Sequence, residues 1–314
     1  MLIDTPKSYT KKIKLTKHPN HCHRSHKLQT DEVRDRYLDL LKRFIIRYEF
    51  DEEIVEYREL RVTSKYRRIL KLLTKLLPKD IFVLEMGKKR SISERLEGKD
   101  WPVTAESMIG LKRMNQLHEA LRSVEREDIP GDIVETGVWR GGALIFAASF
   151  LEIHGIEKRK IYGCDSFEGL PEPSSSYPVD FGDSHYKYSY LSVSIDQVKK
   201  NLEKYNIDMN LVTLVKGWFS DTLHEIETEE IAILRLDGDM YSSTIEALDA
   251  LFHKVVPGGY VIIDDFSLKG ANQAVIDFLE RNNLKVKIER IDDASAYFRI
   301  PSHPSAANSK VPTL

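Results

Sequence analysis

Cysteine is nearly absent from this chain. Cys22 and Cys164 are the only two in 314 residues, too few for a disulfide framework, so stability has to come from a buried core. No stretch of about 18 consecutive apolar residues occurs, which excludes a membrane-spanning helix of ordinary length. MLIDTPKSY lacks the hydrophobic segment of a secretory signal, so a cytoplasmic location with no stable membrane insertion is expected. An excess of one charge is missing too: 47 Lys and Arg face 49 Asp and Glu, a formal net charge of −2, which gives no reason to expect nucleic acid as a partner. What is present is an ordinary globular composition, 41% apolar and 31% charged. The length suits one large α/β domain with an extension, or two domains.

Charge is nonetheless uneven along the chain. Residues 7–28 hold seven Lys or Arg and no acid, with no hydrophobic period, and residues 1–29 read as a mobile basic tail. HPNHCHRSH within it packs His18, His21, Cys22, His23 and His26 together. These are metal-ligand types, but no second ligand pair follows at a finger-like distance, so a solvated tail is the better reading. Residues 30–100 read as a helical extension. TDEVRDRYLDLLKRFIIRY offers Thr30 as N-cap and an apolar face of Val33, Tyr37, Leu40, Leu41, Phe44 and Tyr48. TSKYRRILKLLTKLLPKD, residues 63–80, is a basic amphipathic helix with Leu70, Leu73 and Leu77 on one stripe. It suits packing on a neighbouring domain or a second subunit better than a membrane surface, so a homo-oligomer through the N-terminal helices is expected.

After Gly131 short apolar runs alternate with helical segments. IVETG, KIYGCD, LVTLVKG, IAILRLD and YVIIDD each precede a helical stretch, and KVKIERI and AYFRI close the series. Five strands alternating with helices predict a parallel sheet covered on both faces. The last two, joined only by DDAS, must form an antiparallel hairpin. That ending resembles a methyltransferase-type sheet rather than an all-parallel dehydrogenase-type one. Residues 101–300 hold this domain and 301–314 a C-terminal tail.

Ligands of open α/β sheets bind beyond the carboxyl ends of the strands. The first such end is VETGVWRGG, with Glu135, Gly137, Gly141 and Gly142 in a turn where a cofactor can approach backbone amides. It is not G-x-G-x-x-G, which lowers the odds of a dinucleotide. The second strand ends at Asp165, a carboxylate able to accept from both hydroxyls of a ribose, or else to cap the next segment. The third runs into Gly217, Trp218 and Phe219, aromatics that either flank an adenine or sit under the loop. Together they describe an adenosine cradle.

The fourth and fifth strands end in acids: Asp237-Gly-Asp239 and Asp264-Asp265. Adjacent parallel strands lie about 4.8 Å apart, so these side chains can reach one point. Carboxylates converging in a cleft call for a hard divalent cation with oxygen ligands, and Mg²⁺ fits best. Helix capping explains any one of them but not four at neighbouring ends. Such a metal would hold a substrate hydroxyl and lower its pKa, while a free carboxylate takes the proton. His118, His185 and His253 are alternative bases.

Seven segments in order, ERLEGKDWPVTAESMIGLKRMNQLHEAL, GDIVETGVWRGGALIF, CDSFEGLP, SVSIDQVKKNL, VKGWFSDTL, AILRLDGDMYSSTIEAL and PGGYVIIDDF, resemble the macrocin O-methyltransferase family, which acts on sugars in macrolide and aminocoumarin biosynthesis. The resemblance covers about residues 93–300. It implies a class I methyltransferase Rossmann-like fold, S-adenosylmethionine and Mg²⁺ as cofactors, and O-methylation of a sugar-containing small molecule. It also implies Asp237, Asp264 and Asp265 as metal ligands and Asp239 as base. Glu135 to Gly142, with Asp165 and Ser166, would cradle the cofactor, covered by Ser107, Met108 and Ile109. The N-terminal tail and the segment EPSSSYPVDFGDSHYKYSYL depart from the family pattern and leave the acceptor open. Two rival functions remain at this level: a D-x-D glycosyltransferase, which would bind a nucleotide sugar, and a non-catalytic relative acting in assembly.

Overall fold

A computed structural model describes residues 22–48, 53–56, 82–85, 91–102 and 104–302, the first eight and the two four-residue pieces by backbone alone. The helix expected over 63–80, His18 and His21, and the C-terminal tail beyond residue 302 lie outside these residues. The chain divides into two units, Met1–Tyr37 and Leu38–Leu314. Helix α1 (Cys22–Ile45) starts well ahead of Thr30, the expected N-cap; the intervening residues contain no Pro or Gly to stop it. Within the first unit, Arg34 pairs with Asp31 at 3.2 Å and Arg36 with Glu32 at 2.8 Å, one helical turn apart. Within the second, Leu38, Leu41 and Ile45 are buried. Of the apolar face read from the sequence, Leu41 is buried with Leu38 and Ile45, whereas Leu40 and Phe44 are exposed. The helix carries two apolar stripes, and the one at 38, 41 and 45 turns inward.

Strands β1 (Glu53–Glu56) and β2 (Phe82–Glu85) pair antiparallel. The extension is therefore not wholly helical; strands of four residues are too short for their period to register in the sequence. Helix α2 (Ile92–Glu97) opens on a Ser91–Glu94 capping box. Arg95 on it is buried and donates to the carbonyls of Ile46 and Arg47 and to Asp100 at 2.6 Å. Helix α3 (Leu111–Arg126) follows.

The main sheet is built from β3 (Asp132–Thr136), β4 (Ile161–Asp165), β5 (Val212–Lys216), β6 (Ile231–Leu236), β7 (Val255–Ile263), β8 (Glu289–Arg290) and β9 (Ala296–Arg299). Its order is β5-β4-β3-β6-β7-β9-β8, with the first five parallel and β9 antiparallel to both neighbours. The expected α/β sheet with its closing hairpin is thus the observed one. Helices α4 (Gly142–His154), α5 (Ile195–Lys204), α6 (Phe219–Thr222), α7 (Tyr241–Leu251) and α8 (Lys269–Arg281) connect the strands. β8 is shorter than KVKIERI suggested. Val286 and Ile288 still pack on the core, but as an edge segment the stretch makes ladder bonds only at its end. Pro257, Gly258 and Gly259 lie inside β7, where its register shifts against β6.

Strand alternation decides what the sheet presents to each layer. Ile133, Ile233, Tyr260 and Ile262 enter the core beneath α3 and α4, whereas Val134, Leu234, Val261 and Ile263 enter the core beneath α7 and α8. Continuing the first set by twos gives Glu135, then Arg235 and Asp237, then Asp264. Register aligns Glu135 with Arg235 and Arg235 with Ile262, and Leu236 with Ile263. Asp237 and Asp264 therefore follow neighbouring strand ends at one level and on one face. Among the described residues no helix is long and apolar enough to cross a membrane.

Candidate active site

The question posed by Asp237 and Asp239 is what offsets so many carboxylates at one sheet edge. Part of the answer is a residue the motif reading passed over. Arg235, 4% exposed, sends Nη1 to Glu135 Oε1 at 2.5 Å and Asp237 Oδ2 at 2.8 Å, and Nη2 to Asp264 Oδ1 at 2.6 Å. Arg113 of α3 approaches from above, donating to Asp264 Oδ2 at 2.6 Å and Asp292 Oδ2 at 2.7 Å. Asp292 also caps the β8–β9 turn through the amides of Ala294 and Ser295, and the Ser295 hydroxyl donates to the Asp264 carbonyl. A signal for Arg235 was available: an arginine inside the apolar strand IAILRL, covered on both faces, requires partners. Arg113 has no comparable local signature.

Two guanidiniums do not balance six carboxylates. Asp237, Asp264 and Asp265 each offer an oxygen, all within 4.8 Å of one another. Burial and the neighbouring charges of Asp239 and Asp237 push the Asp265 carboxyl well above its usual range. Burial and then Asp237 push Asp239 up to about 7. Burial also raises Glu135 to about 8, against the pull of Arg235. Asp264 moves the other way: burial opposes its charge, but Arg235 and Arg113 outweigh that and hold it below the ordinary carboxylate value. Crowded carboxylates that resist ionisation are what a cation would relieve. Asp239 sits in left-handed backbone at φ 60°, a conformation Asp tolerates better than most residues, and its amide donates to Asp265 Oδ2 at 3.1 Å.

One cleft of about 580 Å³ brings most of the expected residues together. Ser107, Met108, Ile109, Glu135, Gly137, Asp165, Ser166, Gly217, Trp218, Phe219, Asp237, Asp239, Asp264 and Asp265 all line it. Gly141 does not; it is the left-handed N-cap of α4, and Gly142 forms the wall instead. Gly137 is required by the strand crossing, since a Cβ there would meet the Asp237 carbonyl oxygen at 1.7 Å. The cover is tied to the glycine turn where Gly142 N donates to Glu106 O at 3.1 Å. Asp165 accepts from the amides of Val138 at 2.7 Å, Trp139 at 3.3 Å and Phe167 at 2.7 Å, so the capping role weighed against ribose binding is real. Trp218 is exposed, whereas Phe219 leans on the α7 core. Of the three histidines, His185 lines the cleft. His118 is buried against Lys42, Phe146 and Phe150, and His253 follows α7 away from the cleft.

Comparison with known proteins gives the family. The macrocin-O-methyltransferase (TylF) family matches residues 34–300. The 8-demethyl-8-(2,3-dimethoxy-alpha-L-rhamnosyl)-tetracenomycin-C 4'-O-methyltransferase of Streptomyces olivaceus is 36% identical over 274 residues, covering 86% of this chain and 94% of its own. Mycinamicin III 3''-O-methyltransferase of Micromonospora griseorubida is 36% identical over 209 residues, 65% of this chain and 82% of its own. The structure of the O-methyltransferase NovP superposes with a TM-score of 0.69 at 29% identity, over 85% of this chain and 99% of that one. Matched by the family model over residues 34–300 and aligned with a relative over nearly all of that relative's length, the chain belongs to the macrocin O-methyltransferase family and is an O-methyltransferase.

Proposed function

We infer that the chain moves the sulfonium methyl of S-adenosylmethionine to a hydroxyl on the sugar of a glycosylated natural product, with Mg²⁺ at Asp237, Asp264 and Asp265. The acceptor class follows the relatives, whose names specify rhamnosyl-tetracenomycin and mycinamicin substrates. The observation that carries the reading is that an adenosine-sized cradle and a three-carboxylate cluster open into the same cleft. Both cofactors meet fitting residues. Glu135 Oε2 is buried with no hydrogen-bond partner among the described residues, and a ligand ammonium would satisfy it. An all-oxygen carboxylate set suits a hard divalent cation.

When bound, S-adenosylmethionine supplies the electrophilic methyl group and the divalent cation lowers the pKa of a hydroxyl beside it. The chain's residues do the rest. Glu135 holds the methionine ammonium, Trp218 and Phe219 flank the adenine, Asp165 keeps the glycine turn in shape and faces the ribose, and Ser107 to Ile109 exclude water. Asp239 would accept the proton of the acceptor hydroxyl as the methyl group is transferred to its oxygen. Holding the acceptor hydroxyl and the methyl donor together in one orientation would account for most of the rate. Replacing Asp237 by Ala should cut turnover by at least about a hundredfold, as loss of a group that stabilises developing charge does, and should abolish stimulation by Mg²⁺. A variant still turning over at wild-type rate rules this mechanism out. Glycosyl transfer, the D-x-D alternative, is set aside by family membership.

A further inference from the structure

Helix α7 begins directly behind the D-G-D turn, yet its N-cap residue, Met240, has no side chain able to satisfy the first amides. A residue distant in sequence does so instead. Asp180, in the 3₁₀ turn Pro178–Asp180, accepts from Tyr241 N at 2.8 Å through Oδ1 and from Ser242 N at 3.0 Å through Oδ2. Its side chain is buried, 3% exposed. A carboxylate here satisfies two orphan donors and faces the positive end of the helix dipole. A third element closes the joint: a Cβ on Gly270, in the first turn of α8, would lie 2.7 Å from Tyr241 N and 3.1 Å from Asp180 Oδ1.

From this joint the chain reaches the cleft in two directions. Asp239 lies just before Tyr241 at the start of α7. Asp183 and His185 come shortly after Asp180, and His185 Nδ1 is 3.0 Å from both Asp183 oxygens while its ring lines the cleft. The Tyr177 and Tyr241 rings, 5.9 Å apart, reinforce the attachment. Asp180 itself does not line the cleft, so it touches no ligand there.

We propose that Asp180 is a positioning residue that fastens the segment over the cleft, residues 177–191, to the D-G-D turn, so that enclosing an acceptor and placing Asp239 are one event. Calling the enclosed ligand an acceptor rests on the methyl-transfer reading above; the joint itself does not.

The test compares Asp180→Ala, Asp180→Asn, Gly270→Ala and the Asp180→Ala/Gly270→Ala double variant in the full-length protein. Two quantities are read: kcat on a glycoside at saturating S-adenosylmethionine and Mg²⁺, and the rate of tryptic cleavage after Lys187. Asp180→Ala is expected to lower kcat at least tenfold and speed cleavage at least tenfold, while S-adenosylhomocysteine raises the Tm as much as in the wild type. Asp180→Asn, which keeps an acceptor oxygen, should recover part of both losses. Gly270→Ala, which leaves the carboxylate but wedges the joint, should move both readouts the same way, and the double variant should be no worse than the worse single one. Cleavage at the wild-type rate in Asp180→Ala, or faster cleavage with kcat unchanged, overturns the proposal. If Asp180→Ala does not fold, Gly270→Ala decides alone, and unchanged cleavage in it overturns the proposal. Cleavage needs no substrate, so if the wild-type protein methylates no glycoside the proposed function fails while the cleavage rates of the variants still decide the joint.

Discussion

At the scale of single residues, the chemistry of the cleft depends on how one arginine divides its bonds. Arg235 is buried and shared by Glu135, Asp237 and Asp264. Removing one member of a buried ion cluster leaves the rest uncompensated and typically costs about 3–5 kcal/mol. Arg235→Met is therefore expected to lower urea-unfolding stability by about that amount; a change near zero would show that the cluster is held by other means. Cys164 gives a second residue-scale outcome. It is fully buried, and burial pushes its thiol up to about 12. A thiol reagent at pH 8 should leave Cys164 unmodified in the native protein and label it after unfolding, as peptide mapping would show. The four aspartates could be read from the sequence because each ends a recognisable strand. Arg235 and Asp180 escaped that reading: one looks like a stray charge in a strand, and the other acts on a helix it is not next to in the chain.

At the scale of elements, the sheet was legible and the layers over it only partly so. Parallel strands covered on both faces are continuous apolar runs, so β3, β4, β6 and β7 stand out. α1 was harder, because Leu40 and Phe44 lie beside Leu38, Leu41 and Ile45 and only packing selects the inward set. The edge strand β8 was overextended for a related reason: alternation survives where the ladder does not. One contact between elements carries a pH signature. Arg299 of β9 and then Ser123 hold Glu127, at the end of α3, down to about 2. A depressed carboxyl contributes stability above its unfolded pKa, near 4.3, and loses it as pH falls through the folded value of about 2. The Tm gap between wild type and Glu127→Gln should be constant near pH 6, narrow below about pH 4.3 and close near pH 2. The pair is half exposed, so the gap should correspond to about 1 kcal/mol or less; a gap that grows on acidification would contradict the assignment.

At the scale of the molecule, the sheet, the cleft and the surplus of acid follow from one arrangement. Period-two alternation sends Glu135, Arg235, Asp237 and Asp264 to the same face, and parallel register brings their strands to a common level. The two arginines answer only part of that charge. A divalent cation and a cationic cofactor are the natural complements of the remainder. The measurement that tests this most directly is methyl transfer from isotopically labelled S-adenosylmethionine to a panel of glycosides, followed by mass spectrometry. It is run with Mg²⁺, after chelation with EDTA, and after Mg²⁺ is restored. A labelled methyl on a sugar oxygen, lost on chelation and regained with the metal, is the expected result. Full transfer in the presence of EDTA, or label on no glycoside at all, would contradict it.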